Sequence, residues 1–166
     1  MKNIFIIIIA FIIILSEMLF FYRLEIKGVR PDFLFILVFL IAFNRPLDKS
    51  IFPVWFIGLL KDLISQSGLG TTAFLYLIST ILISLAKQII FKEDVEIQIA
   101  VLFFSGWFCY FCNGLGILLF YGTLPLEYIV LKSAFISFYT LVIGGIFLIA
   151  LYKIQWYIQW KATQPP

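Results

Sequence analysis

The sequence predicts an all-α membrane protein, a six-helix transmembrane bundle in which the second and third helices are short. Three observations lead there. Hydrophobic residues make up 63% of the 166 and charged residues 13%, against about half and about a quarter in soluble domains, and the mean hydropathy is +1.11. The chain divides into apolar runs whose separations never exceed about ten residues, too short for a separate folded core. The charged residues cluster at the ends of those runs. The expected helices lie at about 4–22, 30–44, 50–65, 71–91, 96–121 and 125–153, all within one polytopic domain, 1–166.

The first run is long enough to cross a hydrocarbon core at ~1.5 Å per residue. Lys2 before it resembles the start of a secretory signal, but residues 17–22 offer no small-x-small cleavage site, so a retained helix is expected. Glu17 sits inside that run. It either reaches the headgroups or makes a polar contact with another helix or a partner, since intramembrane carboxylates seldom face lipid.

A polar loop over residues 23–30 follows. Pro31-Asp32 then opens the second helix, with proline suited to the first turn and the carboxylate favoured by the helix dipole. The apolar runs at 33–43 and 51–60 are short for a bilayer. They are expected as short membrane helices or as a re-entrant hairpin. The fourth, fifth and sixth runs are full length. The tail at 154–161 mixes aromatic and polar groups, as interfacial helix ends do.

An even number of crossings puts both termini on one side. If that side is the cytoplasm, the inner ends carry Lys2, Arg45, Lys49, Lys87, Lys92, Lys153 and Lys161, and the outer ends carry Arg23, Lys27, Arg30, Lys61 and Lys132. This is a positive-inside bias. The net charge of +3 is scattered rather than gathered on one basic face, so nucleic acid is not an expected partner. In this topology Glu17, Lys61, Asp62, Glu127 and Lys132 all fall near the outer edge. They are expected to form an outward-facing polar cluster, unless each simply reaches water alone on its own stem.

Ser133, Ser137, Thr140 and Gly144 share one helix face, as do Tyr76, Thr80, Ser84 and Lys87. Such small or weakly polar stripes are expected to pack helices closely. Cys109 and Cys112 form a C-x-x-C inside an apolar run and are expected as inert buried thiols. Histidine is absent, which removes the commonest general base and metal ligand. No phosphate loop, nucleophile elbow or zinc-protease motif occurs. No catalytic residue, metal or cofactor is expected.

The most distinctive stretch runs over residues 58–70. An apolar run takes in the adjacent charges Lys61 and Asp62, then breaks into serines, a glutamine and two glycines. Pro31-Asp32-Phe33 opening the second segment, followed by Gly58-x-x-x-Asp62-Leu-Ile-Ser65 and then Gly70, resembles the MreD family of rod shape-determining membrane proteins. Gly68 stands where the family pattern has a proline. The resemblance implies a non-catalytic scaffold of the bacterial inner membrane that maintains rod shape and regulates peptidoglycan synthesis during elongation. It implies pairing with MreC, and work alongside the MreB filament, RodA and a penicillin-binding transpeptidase. It implies a fold similar to the S-components of energy-coupling-factor transporters.

In that reading Asp32, Gly58, Lys61, Asp62 and Gly70 are structural or partner-binding residues, with Glu17, Glu127 and Lys132 as further candidates. Asp62 would anchor the 65–70 loop or pair with a partner. The alternative is an S-component-like subunit that captures a small molecule for a transporter. A third class, handling of a lipid precursor, requires a groove open to the bilayer.

Overall fold

Residues 33–43 carry apolar side chains on every side, and a helix apolar all round belongs in the middle of other helices or of lipid. In a computed structural model, which describes residues 2–19, 25–26, 28–64, 70–89, 95–122 and 125–162, this segment is the centre of the molecule. The described residues form six helices: α1 Lys2–Leu19, α2 Phe33–Asn44, α3 Leu47–Ile64, α4 Thr71–Ile89, α5 Val95–Tyr121 and α6 Leu126–Ala162. Of these, α2 packs against all five others. Eight of its twelve residues are buried, among them Phe35, Val38, Phe39 and Ala42 with no exposed surface.

The other five surround it in the order α1, α3, α4, α5, α6. Each touches the next, but among the described residues α1 and α6 make no close backbone contact.

Among the described residues, three helices are long and apolar enough to cross a membrane, over Thr71–Gln88, Val95–Leu119 and Leu126–Ala150. At ~1.5 Å per residue α2 is about 18 Å long, well short of a hydrocarbon core of about 30 Å. Its partner α3 has 18 residues, not the shorter segment expected. It starts at Leu47 because Pro46 accepts the Lys49 N–H and the Ser50 hydroxyl through its carbonyl, so the first turn forms directly after the connector. The sixth helix continues through the aromatic tail to Ala162.

Both small-residue stripes face inward. Ser133, Ser137 and Thr140 are each 2% exposed, and Ser137 donates to the Phe103 carbonyl of α5 at 2.7 Å. Tyr76 and Thr80 are fully buried. At the end of the second stripe Lys87 donates to the carbonyls of Ala42 and Arg45, covering the open C-terminus of α2. Helices gain no hydrophobic drive from one another in lipid, so such close packing and shared polar contacts hold the bundle together. Cys109 is buried and Cys112 half-buried, both as free thiols.

The outward faces are strongly apolar. Phe11, Ile12 and Leu15 on α1, with Phe135, Phe138 and Ile146 on α6, are all more than two-fifths exposed. A water-soluble surface does not carry such a patch. These residues face lipid or a membrane partner.

Candidate functional site

Because α2 is short, its N-terminus ends inside the bundle and its free backbone N–H groups need partners there. Asp32 supplies the first. Its backbone is extended (φ −104°, ψ 92°), and its Oδ1 accepts the Phe35 N–H at 3.0 Å as an N-cap. Its other oxygen collects three donors from three different helices. Lys61 of α3 forms an ion pair with it, Tyr76 of α4 donates its hydroxyl at 2.9 Å, and Tyr110 of α5 donates at 3.0 Å. The Asp32 backbone N–H then donates to Thr140 Oγ1 of α6 at 3.0 Å. One residue thus gathers a side chain from each of α3, α4, α5 and α6.

The knot is internally consistent. Lys61 also donates to the Tyr76 hydroxyl at 2.8 Å, so that oxygen accepts from the ammonium while donating to the carboxylate. The Phe35 ring lies between the two tyrosines, 5.8 Å from Tyr76 and 5.6 Å from Tyr110 by centroid. The Asp32 side chain is 4% exposed and that of Lys61 25%. A carboxylate removed from water this far persists only when its lone pairs are satisfied, as they are here.

Asp62, the next residue after Lys61, turns to a different neighbour. Successive helix residues diverge by about 100°, and Asp62 faces the start of α4. Its oxygens accept the N–H groups of Gly70, Thr72 and Ala73 at 3.0, 3.0 and 3.1 Å. Gly70 takes φ +93°, which favours glycine, and its carbonyl accepts the Phe74 N–H.

Gly58, one turn before Asp62, lets α4 come this near. A Cβ there would lie 2.3 Å from the Ala73 Cα. The spacing Gly58-x-x-x-Asp62 therefore makes one joint: the glycine admits the neighbouring backbone and the carboxylate caps it.

Beyond the knot the ends of α1, α3, α5 and α6 outreach α2 and enclose a vestibule of about 590 Å³. Asp32, Lys61, Tyr110, Asn113 and Lys132 line it, together with Glu25, Gly28 and Arg30 of the loop before α2. That loop turns tightly at Gly28 (φ +78°), where Ile26 and Val29 exchange backbone hydrogen bonds and Arg30 pairs with Glu25.

The expected outer cluster is thus divided. Lys61 pairs with Asp32 rather than with its fellow candidates, and Asp62 is buried against α4. Lys132 is half-buried in the vestibule wall, its ammonium 5.4 Å from the centroid of the Tyr128 ring. Glu127 is exposed in the first turn of α6. The side chain of Glu17, and residues 65–69 including Gly68, lie outside the described residues.

Tyr76, Tyr110 and Thr140 were not expected at the site. The signal for two of them was present, since Tyr76 and Thr140 lie on the polar stripes of α4 and α6, and a buried tyrosine hydroxyl generally has a partner.

No curated protein and no solved structure matches this chain. A family model described as rod shape-determining protein MreD matches residues 1–158. That match spans the Pro31-Asp32 cap, the Gly58–Asp62 joint and all but the last residues of α6. The chain belongs to the MreD family of rod shape-determining membrane proteins.

Proposed function

We propose that this chain is a non-catalytic scaffold of the wall-elongation machinery in the bacterial cytoplasmic membrane, with both termini cytoplasmic. Its direct partner in this reading is MreC, and through it the MreB filament, RodA and a penicillin-binding transpeptidase. Family membership supplies the rod-shape role. The observation that carries the scaffold reading is the commitment of the two carboxylates buried among the described residues. Asp32 holds Lys61, Tyr76, Tyr110 and its own helix cap, and Asp62 holds three backbone N–H groups. Carboxylates bound in this way position helices, whereas a general base needs a free lone pair within reach of a substrate proton. A rigid bundle with wide apolar faces on α1 and α6 suits a protein that receives another membrane segment.

The test is gentle solubilisation of the tagged chain from its native membrane, followed by identification of what accompanies it. MreC together with elongation enzymes is the expected recovery. Recovery of ATPases with a small membrane coupling protein would move the assignment to the transporter class.

One observation favours that second reading. The vestibule lies in the ~300–1,000 Å³ range of small-molecule sites. An S-component-like binder would retain a soluble ligand through purification and melt at a higher temperature when it is supplied.

A further inference from the structure

Among the described residues, the vestibule holds a cation that no carboxylate neutralises. Five charged residues line it: Arg30, Lys61 and Lys132 against Glu25 and Asp32. Arg30 pairs with Glu25, and Lys61 with Asp32. Lys132 meets no carboxylate among the described residues and rests its ammonium against the Tyr128 ring. It stands six residues inside α6, about 9 Å from the start of that helix at ~1.5 Å per residue. An ammonium withdrawn this far into a membrane bundle draws an anion toward it.

The walls identify the kind of anion. Ile14 of α1, Ile117 of α5 and Ile129 and Ile136 of α6 all face the vestibule. The first and last belong to α1 and α6, which make no close backbone contact among the described residues, so apolar side chains of both helices meet the vestibule. A site with one cation that meets no carboxylate among the described residues, a neutral amide from Asn113 and isoleucine walls matches an amphiphile with a single anionic head.

We infer that the vestibule binds the phosphate of an anionic lipid. Lys132 is the countercharge, and the acyl chains lie against the isoleucine walls. The shared chemistry is a phosphate, which a lipid or a soluble phosphate ester can supply, and the isoleucine walls favour the lipid. The inference stands apart from the scaffold reading. Its failure would leave the recovery of partners unaffected.

The full-length chain, purified in detergent, is supplied with phosphatidylglycerol, with phosphatidylcholine, or with soluble glycerol 3-phosphate, and its thermal unfolding is followed. Phosphatidylglycerol is expected to raise the melting temperature and the other two to leave it unchanged. Lys132→Gln weakens the phosphatidylglycerol response roughly tenfold, as expected for loss of a charge-assisted contact, and Lys132→Arg keeps it. Phosphatidylglycerol carrying a photoreactive acyl chain labels the unmodified chain around Ile14 and Ile136, a measurement that holds even if the glutamine variant does not purify. A Lys132→Gln protein that responds as the wild type does, or labelling confined to other helices, overturns the inference. Equal stabilisation by glycerol 3-phosphate overturns the lipid source.

Discussion

Asp32 shows how much one carboxylate can organise where water is scarce. Replacing it with alanine removes the α2 cap and strands Lys61, Tyr76 and Tyr110 at once. Breaking a buried ion pair from one side costs about 3–5 kcal/mol. Asp32→Ala is therefore expected to lower the unfolding temperature sharply in detergent, or to prevent recovery of folded protein. Lys61→Met alone should be strongly destabilising for the same reason. The double variant Asp32→Asn with Lys61→Met should recover part of the loss, since an amide still caps α2 and no charge is left unpaired. A double variant no better than Asp32→Ala would show that charge pairing is not what holds the knot.

At this scale the sequence was informative about which residues matter and poor about whom they face. Lys61 and Asp62 read as one polar feature because they are adjacent. Their side chains leave α3 in different directions, and a helix apolar on nearly every side gives no sign of its rotation.

Between elements, the joint of α3 and α4 depends on the absence of one methyl group. In Gly58→Ala the new Cβ meets backbone, 2.3 Å from the Ala73 Cα and 2.8 Å from its nitrogen, so no side-chain rotation relieves the clash. The helices must separate, and separation pulls Asp62 away from the N–H groups it caps. Over-packing of this kind costs about 1–3 kcal/mol, and a lost cap about 1 more. Gly58→Ala should thus destabilise at least as much as Asp62→Ala, and the two together by less than their sum, because both undo the same joint. Thermal unfolding of the three variants checks this, and simple additivity would separate the two roles. Gly58-x-x-x-Asp62 was visible in the sequence as a spacing that places both residues on one helix face. The third party, Ala73, was not, because nothing marks which of many small residues a glycine will meet. The shortness of α2 was equally legible, but its central place was not, since an all-apolar surface suits lipid as well as protein.

For the whole molecule, the proposed orientation rests on an even number of helices and a modest excess of basic residues at one set of ends. Single cysteines introduced near residues 2 and 163, in a chain with Cys109 and Cys112 replaced by serine or alanine, should react with a membrane-impermeant reagent only after the cytoplasmic face is exposed. Labelling of the two ends from opposite faces would mean that one segment fails to cross. The all-helical class followed directly from composition, because a bilayer forces backbone hydrogen bonds inside each segment. The order of the helices around α2 did not, since neighbours in the bundle need not be neighbours in sequence.

The dimensions of α2 also bear on how the chain enters the membrane during synthesis. A segment of about 18 Å, bounded by Arg30 and Asp32 at one end and Arg45 at the other, is a poor candidate to partition into lipid by itself. Lys61, which pairs with Asp32 at one end, and Lys87, which donates to the carbonyls of Ala42 and Arg45 at the other, are translated later, on α3 and α4. The second helix therefore cannot be finished when it is made. Its end contacts form only once some forty further residues, as far as Lys87, have been made.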